Sequence, residues 1–89
     1  MSLDRAGKAV VNEKKYPFIV EVPVAANGLA RELSRQIVGF HKSRSVEPRH
    51  GRTTFRDGQT YYRWCFSDLE TARAFVEQFG GAFYKTTGT

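Results

Sequence analysis

The tightest constraint in this chain of 89 residues is a two-residue bend. Asp57-Gly58 separates the run Arg52-Thr53-Thr54-Phe55-Arg56 from Gln59-Thr60-Tyr61-Tyr62-Arg63-Trp64-Cys65-Phe66. An Asp-Gly pair between two strand-forming runs predicts a type I′ turn, in which both central residues take positive φ. The turn fixes the register: Arg56 faces Gln59, Phe55 faces Thr60, Thr54 faces Tyr61, Thr53 faces Tyr62 and Arg52 faces Arg63. Because side chains alternate along a strand, one face collects Phe55, Tyr62, Trp64 and Phe66, and the other Arg52, Thr54, Arg56, Tyr61, Arg63 and Cys65. A one-residue slip would bury three arginines and expose three large aromatics, so the aromatic set belongs to the core and the arginine set to an open face.

The strand runs into a helix. Ser67-Asp68-Leu69-Glu70 has capping-box spacing, with the serine hydroxyl and the glutamate carboxylate each taking a free amide of the first turn. Leu69, Ala72, Phe75, Val76 and Phe79 then fall within about 120° on a helical wheel, one apolar stripe. Gly80-Gly81 ends it, since glycine takes the positive φ of a helix terminus without a side-chain clash.

Upstream, residues 1–15 show no clear period and read as a flexible tail, leaving a single domain over 16–86. Tyr16 to Ala25 reads as a first strand with Phe18, Val20, Val22 and Val24 on one face and Ile19 and Glu21 on the other. Pro17 and Pro23 remove two amide donors, which points toward a sheet edge or pairing only through the middle. Asn27 is placed to cap a helix running to about Ser43, with Ala26, Leu29, Ala30, Leu33, Ile37 and Phe40 as its stripe. Ser43 to Gly51 is a loop around Glu47-Pro48, and Ala82 to Thr86 a short closing strand. The order is β-α-β-β-α-β. Its simplest packed form is an α+β, ferredoxin-like sandwich: a four-stranded antiparallel sheet with two helices on one face and the other face open.

Folding a chain of this length removes roughly 64% of its unfolded surface, enough for one modest core without staples. The single cysteine excludes an intrachain disulfide, so nothing points to a secreted, bridge-dependent scaffold. No apolar run approaches the roughly 20 residues that span a bilayer, and the first residues lack the apolar core of a signal peptide. The expectation is a cytoplasmic protein with no membrane partner.

Charge is unevenly placed. Residues 31–63 hold eight basic and three acidic side chains, which is the whole net excess of +5, while the remainder is balanced. On the open face Arg52, Arg56 and Arg63 flank Tyr61, and the preceding loop adds Arg44 and Arg49. Guanidinium groups hold phosphates and a ring stacks on a base, the mixture that single-stranded nucleic acid or another polyanion favours. Charged strands also serve simply to keep sheet edges apart. A third reading is a homodimer that buries the sheet face, with a structural role or a small-molecule pocket. Opposed arginines would then need Glu21 or a bound anion between them.

Enzymatic readings are weaker. An activated thiol at Cys65 would need His41 or His50 as base, and neither spacing demands proximity. The same three residues lack a zinc-ligand pattern, and Gly80-Gly81 follows a helix instead of opening one, so no metal or cofactor is expected.

Residues 59–68, Gln-Thr-Tyr-Tyr-Arg-Trp-Cys-Phe-Ser-Asp, followed by Leu-Glu-Thr-Ala-Arg-Ala-Phe-Val-Glu-Gln-Phe-Gly-Gly, resemble the third strand and second helix of an RNA-recognition motif. The resemblance implies base stacking by two open-face aromatics of that strand. Tyr61 matches the first, whereas Arg63 stands at the second, and the first strand presents Ile19 and Glu21 where the family carries an aromatic. The Arg-Trp-Cys-Phe run with its Phe-Gly-Gly ending also resembles small bacterial domains of unknown function, which implies no activity.

Overall fold

The computed structural model describes residues 4–25 and 28–84. Along these residues the order is α1 (Asp4–Lys15), β1 (Phe18–Val24), α2 (Arg31–Ser43), β2 (Thr54–Arg56), β3 (Gln59–Phe66), α3 (Leu69–Phe79) and β4 (Ala82–Phe83). The architecture is α+β: a four-stranded antiparallel open sheet, ordered β2-β3-β1-β4, with three helices.

The bend behaves as its residues dictate. Asp57 and Gly58 both have positive φ, 49° and 77°, and Arg56↔Gln59, Phe55↔Thr60 and Thr54↔Tyr61 pair across it. Beyond Thr54 the expected register fails. Pairing resumes at His50↔Trp64, so three residues, 51 to 53, lie opposite Tyr62 and Arg63. This is a bulge. The Gly51 amide donates to the Arg63 carbonyl and the Cys65 amide to that of Arg49, at 2.9 and 2.8 Å, leaving Arg52 out of the ladder instead of opposite Arg63.

Phe18, Val20, Val22 and Val24 share a face of β1, and Val20 and Val22 meet Trp64 and Phe66 of β3, Ile37 and Phe40 of α2, and Ala72 and Phe75 of α3 in one core. Each large side chain buried there contributes about 1.5–3 kcal/mol. Phe55 is a correction: although on the core face, it is 70% exposed, for it stands on three-residue β2, an edge strand of the sheet.

The prolines do not push β1 outward. β1 pairs along its whole length with β3 on one side and through Val20 and Glu21 with β4 on the other. Tyr84 donates its amide to the Ile19 carbonyl, so the odd residues of β1 direct their backbone groups toward the β4 side. Pro23 thus lacks its N–H where β4 has already ended.

Three further expectations change. Residues Asp4–Lys15 form a helix and not a tail; the segment has no proline until Pro17, which disfavours helical φ/ψ at Tyr16, and Lys14 and Lys15 complement the negative helix end. The cap of α3 is Asp68, not Ser67: its carboxylate accepts from the Thr71 amide at 2.9 Å and from the Thr71 hydroxyl. α2 begins at Arg31 after Ala30, which offers no side-chain cap, and Ala26 and Asn27 lie outside the described residues, as do Lys85 and Thr86 of the expected closing strand. Among the described residues no helix is long and apolar enough to cross a membrane.

Candidate anion-binding surface

On the sheet face away from α2 and α3, five charged side chains form one chain of ion pairs: Arg52, Glu13, Arg63, Glu21, Arg56. Alternation along β1 and β3 points Glu21 and Arg63 to this face as register partners, and α1 delivers Glu13 from above. Arg63 donates from Nε to Glu21 at 2.9 Å and from Nη1 to both Glu13 oxygens at 3.0 and 3.1 Å. Arg56 takes Glu21 through both terminal nitrogens, at 3.1 and 2.9 Å. Arg52 reaches Glu13 twice, from its backbone amide at 2.6 Å and from Nη2 at 3.0 Å. The amide released by the bulge is the one that Glu13 accepts.

Burial divides the arginines. Arg63 is 4% exposed, whereas the Arg52 and Arg56 side chains keep 55% and 48% of their surface in water. Burial works to raise the Glu13 and Glu21 carboxyls, but hydrogen bonds and charge from Arg52 and Arg63, and from Arg56 and Arg63, outweigh it and hold both below the ordinary carboxylate value. The burial of Arg63 is likewise outweighed by its two carboxylates, which keep it firmly protonated.

Rings border the network. The Arg56 guanidinium lies 4.1 Å from the Tyr61 ring centroid and that of Arg63 3.8 Å from Tyr84. Arg49 sits 4.1 Å from the Tyr16 ring centroid, at the end of α1.

Of the residues singled out in the sequence, Arg52, Arg56, Tyr61 and Arg63 are brought together, and Arg49 stands nearby on the strand-like segment beside β3. Arg44 is elsewhere. It follows α2 with its guanidinium 4.6 Å from the ring of Phe40, a core residue of the opposite face. Arg63 is an interior anchor and offers little outward surface. Glu13 and Tyr84 were not anticipated. Glu21 was legible as an open-face residue of the first strand, but Glu13 lay in a segment without apolar period and carried no signal of its own.

The thiol reading fails on chemistry. Cys65 is 1% exposed, and burial, with the charge of Glu13 adding to it, pushes its thiol up to about 12, away from an activated thiolate. His41 is buried against Phe66, ring on ring at 5.5 Å and 9°, with Nδ1 donating to the Ile37 carbonyl at 2.9 Å and Nε2 unpartnered among the described residues. Comparison with family models, curated proteins and solved structures returned no match to this chain. The likeness to an RNA-recognition motif therefore rests on the residues of β3 and α3 alone.

Proposed function

We propose that this protein is a cytoplasmic binding domain for an anionic partner, single-stranded nucleic acid first among them, and not an enzyme. In this reading the arrangement is ferredoxin-like, with α1 added on the face that the RNA-recognition motif uses. The supporting observation is the pair Arg56 and Tyr61: a half-exposed guanidinium held by two bonds to Glu21 and stacked on a ring. Bases stack on guanidinium planes as well as on rings, so this pair is a platform already ordered before a ligand arrives. Arg52 and Arg49 continue the positive rim from it, and Lys8, Lys14 and Lys15 of α1 raise the local potential.

Titration of single-stranded RNA and DNA at several salt concentrations tests the reading. Binding should weaken steeply with salt, and the joint change Arg52→Ala and Arg56→Ala should lower both affinity and salt slope. Absence of binding at low salt, or indifference to the double change, refutes it.

One observation favours a second reading, self-association. Phe55 is 70% exposed on an edge strand, an arrangement that invites pairing with a second copy. Burial of the sheet face itself between copies fits less well, because Glu13 and α1 already occupy it. A mass measurement in solution that finds a dimer, lost on Phe55→Ser, would support the edge-paired form.

A further inference from the structure

The Glu13 carboxylate occupies a niche with the features of a receptor. Its floor is Arg63, 4% exposed and offering Nη1; its wall is the Arg52 amide, freed from the sheet by the bulge; its rim is the Arg52 guanidinium. Gly51 completes it by having no side chain. A Cβ there would stand 2.6 Å from Glu13 Oε2 and 3.0 Å from the Arg63 Cβ, so the carboxylate fills the space a side chain would take. A buried guanidinium and a backbone N–H converging on one point form an oxyanion site, whichever oxyanion fills it.

Glu13 is delivered by α1, which is tied to the sheet in part through polar contacts. Besides its own bonds, Asn12 Nδ2 donates to the His50 carbonyl at 2.9 Å, while Val11 is 54% exposed. A groove of about 710 Å³ runs between α1 and residues 48–53, flanked by Lys8 and Arg52, and leads to the niche at Gly51. Its volume lies in the size range of ligand sites.

We propose that this niche is a phosphate-binding site for which Glu13 is the resident internal ligand, and that a phosphodiester of the anionic partner takes its place as α1 moves aside. The inference rests on the polyanion reading above and deepens it. The exchange keeps charge constant, one negative group replacing another beside Arg63, so the buried guanidinium is never left with Glu21 alone. Ligand affinity is lowered by the fraction of molecules in which Glu13 holds the site, and weakening its hold removes that competition.

The probe is a short fluorescein-labelled polyuridylate, titrated at low salt against the wild-type chain, Glu13→Gln, Glu13→Asp and Glu47→Gln. Glu47 is an exposed glutamate near Arg49, so its change supplies the same gain of net charge without touching the niche. Glu13→Asp leaves the charge unaltered and shortens the reach. Both Glu13 variants should bind at least about tenfold tighter than wild type, since each weakens the internal competitor, with Glu47→Gln showing only a general charge effect. If wild type binds and neither Glu13 variant surpasses Glu47→Gln, the niche is overturned and the polyanion reading stands. If no form binds, both fall. Circular dichroism checks that each variant is folded. Independently of any variant, the Arg52 amide resonance of wild type should shift as polyuridylate is added, because its acceptor changes from the Glu13 carboxylate to a phosphate; an unmoved Arg52 amide in the bound state overturns the proposal.

Discussion

Arg63 donates from Nη1 to both oxygens of Glu13 across 50 residues of sequence, and this bond fastens α1 to the sheet. Taking away one partner of a buried pair exposes the desolvation cost of the other, whereas a pair in water contributes little. Glu13→Ala should therefore lower stability by about 3 kcal/mol, near the bottom of the usual range because Glu21 still serves Arg63. Arg52→Ala removes only the half-exposed member and should cost under about 1 kcal/mol. Urea midpoints of the two variants measure the difference, and equal losses would show that the interior pair holds nothing extra.

Acid should destabilise the protein in two stages. His41, buried against Phe66, has its pKa lowered below the ordinary 6.5 by burial; the bond to Ile37 works against that shift, and charge from His50 and Arg49 adds to it. The unfolded chain consequently binds this proton first, so stability is complete above 6.5 and declines as pH falls toward the folded value. Glu13 and Glu21 are lowered as well, and their contribution is present above the ordinary 4.5 and lost as pH falls through their folded values. His41→Phe keeps a ring on Phe66 and removes the unpartnered Nε2. It should lessen the loss of stability below pH 6.5, the remainder belonging to His50, which burial also lowers, while leaving the lower stage intact. Urea midpoints across that range decide, and an unchanged slope would assign the upper stage to another group.

What could be read in the sequence was what depends on neighbours along the chain. Asp57-Gly58 set the turn, and alternation from it put Trp64 and Phe66 inside with Arg63 and Cys65 opposite. What could not be read depends on contacts between distant segments. The bulge at 51–53 leaves no trace in local pattern, because it exists where Glu13 takes the Arg52 amide. α1 was invisible for the same reason: the bonds of Asn12 and Glu13 reach His50, Arg52 and Arg63, residues far along the chain. The face expected to stand open is closed, with Ile19, Glu21, Arg63 and Cys65 all buried.

Position on the sheet, and not face alone, should govern the weight of each aromatic. Phe55 and Trp64 share the core face, yet Phe55 is 70% exposed on the edge strand and Trp64 1% exposed beside Phe75. Phe55→Ser is expected to change stability by no more than about 0.5 kcal/mol. Trp64→Ala should cost about 3–5 kcal/mol. Denaturant melts at low protein concentration make the comparison, and a large loss at Phe55 would mean that its ring is covered in solution.

Gly51→Ala separates the geometry of the niche from its charge. The added methyl meets Glu13 Oε2 at 2.6 Å and the Arg63 Cβ at 3.0 Å, so Glu13, at the end of a flexible side chain, has to yield. No charged group is lost, and the core on the other face is untouched. Overpacking of this kind costs about 1–3 kcal/mol, and here it should fall on the docking of α1 more than on the sheet. Hydrogen exchange resolves the two: amides of α1 and of Arg52 should exchange about tenfold faster than in wild type, while those of Trp64 and Phe66 change in step with global stability. Uniform acceleration across the chain would show that α1 and the sheet open as one unit and that Glu13 does not act as a separable fastening.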